Sequence, residues 1–273
     1  MDARVAHDVA MDAVARFTEL VGAPDPPLDR AALALAAGPA ASAVAARRDI
    51  DKGLAELDRL ASGVSSLDGL VHRLFVEEAF AGNGKDYYDP RNSLLPHVLR
   101  RRLGIPITLA VVTIEVGRRA GIALEGVGMP GHFLVRAVGT HVHLDVFAGG
   151  AVIGPAECEA KFRASSGAGL EVPFGPHLLT PTPTRAILVR MLENLRSIYR
   201  SRRRPRDLEW VLRMRLALPG AGLPERLELA EALGDQARWV DGATLLERYA
   251  RGASAAQAEK LTNAARSLRA HLN

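Results

Sequence analysis

The chain has a single cysteine, Cys158, so neither an intrachain disulfide framework nor a cluster of cysteine metal ligands is available to it. It has no apolar run long enough to cross a bilayer. Its start, Met1-Asp2-Ala3-Arg4, lacks the basic stretch and following apolar segment of an export signal. No membrane association is expected, and the cytoplasm is the expected compartment. Aromatic residues make up only 5% of the chain, too few beside the basic runs to stack bases. Net charge is also low, +4, because the arginines are interleaved with acids, and no nucleic-acid partner is expected. Arg100-Arg101-Arg102 and Arg202-Arg203-Arg204 with Arg206 are the exceptions, and both read as helix ends where cations meet the dipole. What the chain does have is length, 273 residues with 48% hydrophobic, enough for one substantial core and a smaller second unit.

The chemistry concentrates in Met129-Pro130-Gly131-His132-Phe133-Leu134-Val135-Arg136 and the following His141-Val142-His143-Leu144-Asp145. Gly139-Thr140 between two alternating runs predicts a hairpin with a two-residue turn that pairs Val138 with His141. Counting from that pair puts Phe133, Val135, Ala137, Val142, Leu144 and Val146 on one face. His132, Arg136, His141, His143 and Asp145 fall on the other. His132 and Asp145 become diagonal neighbours, about 7 Å apart at the backbone and closer at their side chains. A His beside a carboxylate is two thirds of a nucleophilic triad and equally an ordinary hydrogen-bonded structural pair on a solvated hairpin face. The only thiol, Cys158, follows in a helix start flanked by Glu157 and Glu159, which oppose thiolate formation. His132, His143 and Asp145 also have the donor chemistry of a zinc or iron site.

Helical spacing of apolar residues predicts helices over Asp2 to Leu20, Leu28 to Ala41 and Arg47 to Leu60, an N-terminal helical cap. Ser66 is the predicted N-cap of a further helix that stops near Gly82-Asn83-Gly84. The polar loop from Lys85 to Ser93 is dense in turn formers and in groups that fasten buried neighbours. Gly104-Ile105-Pro106 opens an apolar helix to Arg119, with Gly121 beyond its end. Helices around a small antiparallel sheet make an α+β domain. After Pro181-Thr182-Pro183 the chain turns helical and matches itself at an offset of thirty-four residues: Leu195 with Leu229, Tyr199 with Leu233, Asp207 with Asp241, Leu212 with Leu246. That period belongs to tetratricopeptide-like helix pairs, with a plain helical bundle as the alternative.

Three linked motifs, Phe80-Ala81-Gly82-Asn83 with Asp86 to Ser93, Gly104-Ile105-Pro106-Ile107-Thr108-Leu109, and Pro130 to Arg136, resemble the bacterial SirB family of regulators. The resemblance implies a papain/transglutaminase-like core over residues 1–180 followed by tetratricopeptide-like repeats over 184–273. It implies that His132 and Asp145 match the catalytic His and Asp of that fold, and that Pro106 takes the place of the nucleophilic Cys. Thr108 and Ser93 are the hydroxyls that could substitute. Asn83, Asp86, Tyr88, Asp89, Arg91, Asn92 and Arg136 are the expected lining of the cleft. The first reading is an interaction or regulatory protein with a protein or peptide partner and no cofactor. The second is a hydrolase or acyl-transfer enzyme in which His132, oriented by Asp145, activates a hydroxyl or water. The third is the metal site at His132, His143 and Asp145.

Overall fold

In the computed structural model of the chain, the residues described are 3–38, 42–166, 169 and 172–271. The element on which the others pack is α6 (Pro106–Arg119), buried at every position from Pro106 to Gly117. Its sequence explains both ends. Pro106 occupies the first helical position, where a missing N–H costs nothing, and Thr108 Oγ1 accepts the Ile105 N–H. At the other end Gly121 takes φ +74°, and the N–H groups of Ile122 and Gly121 donate to the carbonyls of Gly117 and Arg118. That is a Schellman cap, which needs a left-handed residue at the glycine position. A helix apolar on all sides must be buried on all sides, and α6 is.

The cap around it is helical. α1 (Ala3–Gly22), α2 (Leu28–Leu35) and α3 (Ala43–Ala61) cover one side, and α4 (Leu67–Val71) runs on into a π turn over His72–Glu77. Ser66 caps α4 as predicted, its Oγ accepting the Gly69 N–H at 3.1 Å. α2 ends at Leu35, earlier than Ala41, and residues 39–41 lie outside the described residues. Two short parallel strands, β1 (Ala81–Gly82) and β2 (Leu103–Gly104), flank α5 (Leu95–Arg101) and bring the polar loop beside the start of α6.

The sheet is an antiparallel meander of β3 (Leu124–Val127), β4 (Leu134–Ala137), β5 (His143–Asp145) and β6 (Ala151–Ile153). Val135 pairs with Leu144 and Arg136 with His143, the register expected from counting. The turn is built differently. Thr140 N–H donates to Ala137 O, Ala137 N–H to Val142 O, and Val138 N–H crosses to Ala123 O instead of closing on His141. Nor is the second face of the hairpin solvated. Phe133, Val135, Leu144 and Val146 join the main core, while Leu134, Val127, Met129 and Ile153 pack against Cys158 and Phe162 of α7 (Pro155–Ser166). With α7 lying over it, that face buries His143 and Asp145, so they are not on a water-facing side.

Helices α8 (Thr184–Ser201), α9 (Pro205–Leu216), α10 (Leu223–Gly234), α11 (Trp239–Ala250) and α12 (Ala255–Ala270) complete the chain. Residues thirty-four apart take matching places in the first and second helix pairs, and Leu195, Leu229, Tyr199, Leu233, Leu212 and Leu246 are all buried. The division at 180/184 marks a change of composition rather than a break in packing. Ile187, Leu188, Met191 and Leu192 of α8 and Trp210 of α9 belong to the main core, and a separate small cluster begins only with Ala230 of α10.

Because nothing lies within 4 Å of a methyl placed on Gly121, its replacement tests the backbone alone. Gly121→Ala is expected to lower stability by about 1 kcal/mol, read from the urea midpoint at unchanged slope. Gly22→Ala, equally uncrowded but without a positive φ, is expected to leave the midpoint unchanged or raised.

Candidate functional site

Asp145 ends β5, and its carboxylate is the most heavily contacted acid in the hairpin. Oδ1 accepts the N–H groups of Phe147 and Ala148, each at 3.1 Å. His132 Nε2 stands 3.3 Å from the same oxygen, at ion-pair distance but off the line of a hydrogen bond. Lys161 Nζ of α7 takes Oδ2 at 2.6 Å. Asp145 is 1% exposed, and burial alone would raise its carboxyl; His132, Lys161 and the Ala148 N–H override that and hold it far below the usual carboxylate range. His132 itself is aimed by the turn before β4. Its N–H bonds to Met129 O, Gly131 takes φ +71°, and Ser165 of α7 packs where any side chain at 131 would have to go.

The nucleophile candidates fare differently. Thr108 Oγ1 donates to Asn92 O at 2.6 Å while accepting from Ile105, so its proton is committed to fastening the loop to α6. Ser93 Oγ is buried and makes no hydrogen bond, to His132 or to any other described group. Cys158 is buried against Phe162 and Ile153, and burial, with Glu157 adding to it, raises its thiol. Pro106 sits at the first position of α6. The metal reading is corrected: among the described residues no three His, Cys, Asp or Glu gather closely enough to hold an ion. His143 turns Nδ1 to His141 O, and Lys161 already occupies the outer Asp145 oxygen.

Most of the expected cleft lining is a brace. Fully buried Asn92 donates to Asp86 O and Tyr87 O and accepts from Asn83 Nδ2 and Arg101. Buried Asp89 caps the Pro90–Asn92 turn and pairs with Arg91 and Arg101. Asp86 gives its N–H to Asn83 Oδ1, while its side chain, like those of Tyr88 and Arg91, reaches solvent. Arg136 is corrected as a cleft residue. It is spent on Glu125 at 2.5 Å and on Leu179 O, tying β4 to β3 and to the segment before α8. Three residues that sequence reasoning did not single out complete the surroundings. Lys161 is one. Tyr87 packs edge-on to Phe147, with ring centroids 6.1 Å apart. Arg190 of α8 reaches Met129 O and His132 O. Lys161, Tyr87 and Arg190 carried no local signal.

A buried helix packed against an antiparallel sheet that bears a His and carboxylate pair defines an α+β domain of transglutaminase type. The chain belongs to the Transglutaminase-like superfamily, whose family model matches residues 41–193. A UPF0162 protein of Xylella fastidiosa is 48% identical over 132 residues, 46% of each chain. A UPF0162 protein of Pseudomonas aeruginosa is 36% identical over 180 residues, 64% of this chain and 65% of that one. Mouse F-box only protein 21 is 36% identical over 103 residues, 34% of this chain but 16% of its own length. The match thus spans about half the length of the first relatives. No solved structure matches. Among the described residues no helix is long and apolar enough to cross a membrane.

The depressed Asp145 carboxyl has a pH signature. A carboxyl held low in the fold contributes full stability above its unfolded pKa, near 4, and loses that contribution as pH falls from there toward the folded value. The stability gap between wild type and Asp145→Asn is therefore expected to be largest at neutral pH and to shrink below about pH 4. A gap independent of pH would contradict the ion pairing. Cys158 gives a second check: native protein is expected to resist iodoacetamide at pH 7.5, where urea-unfolded protein reacts fully.

Proposed function

We propose that this chain is a protein-interaction or regulatory protein, a transglutaminase-like domain without a thiol nucleophile whose cleft around His132 binds a peptide segment or side chain. The helix pairs from α8 onward, with their thirty-four-residue correspondence, support a tetratricopeptide-like surface for a second protein contact. The observation that carries this reading is the Asp145 arrangement. In a working triad the carboxylate serves the imidazole alone, stabilising the imidazolium that forms when the nucleophile loses its proton. Here Lys161 neutralises that carboxylate at 2.6 Å, and no hydroxyl or thiol among the described residues is hydrogen-bonded to the His132 ring. Both facts weaken a general base and leave nothing for it to activate.

The 3.3 Å contact between His132 and Asp145 favours a second reading, hydrolysis with water as the attacking group. One assay separates the two. Purified protein incubated with peptidyl-glutamine and p-nitrophenyl acetate, beside His132→Ala and Cys158→Ala, is expected to release no product that His132→Ala removes. Turnover that persists in Cys158→Ala and vanishes in a folded His132→Ala protein would overturn the binding reading.

A further inference from the structure

Most of the partly buried arginines in the main body of this fold have a carboxylate. Arg119 has Asp29 and Glu115, Arg101 has Asp89, Arg136 has Glu125, and Arg215 has Glu193. Arg185 lacks one but is saturated, its three nitrogens bonding the Val21, Ala23 and Pro24 carbonyls at the end of α1. Arg190, on the same helix, is neither paired nor saturated. Its guanidinium lies 5.1 Å from the Phe133 ring centroid. Only Nη2 finds partners, Met129 O at 3.4 Å and His132 O at 3.3 Å, and both bonds are long. Nε and Nη1 have no hydrogen-bond acceptor, and the guanidinium no carboxylate, among the described residues. Gly128 permits this placement, because a side chain there would overlap Nη1.

The surroundings are short of one negative charge. Lys161 and Arg190 are fixed cations on either side of the His132 turn, and Asp145 is the one acid contacting His132 or Lys161 among the described residues. Burial lowers the pKa of Arg190, with only Tyr87 acting against it. The unpaired Nε and Nη1 of Arg190 are not among the buried unpaired atoms and so reach solvent, where a bound carboxylate would fill two parallel donors of a guanidinium already partly withdrawn from water.

We propose that Arg190 is a carboxylate-binding residue beside the His132 turn, and that the ligand is a peptide carboxylate. This rests on the binding reading above and names what the cleft takes. A planar monoanion matches one guanidinium fork and the single uncompensated charge. The same chemistry is offered by a chain terminus and by an Asp or Glu side chain.

The test is a titration of the full chain followed by the Arg190 Nε–H and the Gly128 and His132 backbone N–H resonances. The probes are N-acetyl-glutamate α-amide for a side-chain carboxylate and N-acetyl-alanyl-alanine for a terminal one. N-acetyl-glutamine amide and N-acetyl-alanyl-alanine amide are the neutral controls. At least one carboxylate is expected to give saturable shifts that its amide does not, and which one does so identifies the source. Arg190→Lys is expected to weaken binding about tenfold, through loss of the fork, and Arg190→Gln to abolish it. Equal shifts from the neutral amides, shifts surviving in Arg190→Gln, or no saturable shift with either carboxylate would overturn the assignment. Should Arg190→Gln not fold, Arg190→Lys and the amide controls still decide. Mass spectra of the recovered probes keep the two claims apart. Cleaved probe overturns the binding reading and not the carboxylate site, whereas intact probe without shifts overturns the site alone.

Discussion

A carboxylate that is 1% exposed must be surrounded by donors or be protonated, and the region around Asp145 is organised to keep it charged. Its contacts come from parts of the chain that are not neighbours in sequence: His132 from the turn before β4, Lys161 from α7, and two N–H groups from the turn that follows β5. Satisfying one side chain thereby fixes the position of α7 over the sheet and the aim of the His132 ring. Removing a single member of such a set leaves an uncompensated charge inside the protein, which costs about 3–5 kcal/mol for a buried pair.

The same economy runs outward. The second sheet face is apolar enough, through Leu134, Met129 and Ile153, to need a cover, and α7 provides it with Cys158 and Phe162. The first face lies on α6, whose start is locked to the polar loop through Thr108 and Asn92. The loop in turn leans on the end of α8, where Arg202 donates to Tyr88 O. The helical segment after the sheet is therefore part of the site's support, since α8 both fills the main core and carries Arg190 to the His132 turn.

Much of this was readable where the signal is local. Period-two alternation around Gly139 gave the strand register, and Pro106 with Gly121 gave the limits of α6, because caps and pleats depend on residues a few positions apart. The fastening character of the Lys85 to Ser93 loop was legible from residue type, whereas Thr108 was read as a hydroxyl that could attack and instead holds Asn92 O. The rest depended on long-range packing. The polar look of His143 and Asp145 suggested a solvated face, and only the placement of α7 reverses that. Lys161 and Arg190 join the site across 16 and 58 residues of sequence, from helices whose periodicity says nothing about which face meets a distant turn. The turn at Gly139 was misread in detail because Val138 N–H is claimed by Ala123, a neighbour on the other side of the strand.

The cleft is organised around Asp145 as an anion shared between His132 and Lys161. Carbon-13 NMR of the Asp145 carboxyl, followed through an acid titration, reads that state directly. It is expected to stay ionised to the lowest pH at which the protein remains folded, with no titration step near the ordinary aspartate value of about 4. A midpoint at that ordinary value would mean that the Lys161 and His132 contacts do not hold the carboxylate ionised, and the reading of the cleft built on those contacts would fall with it.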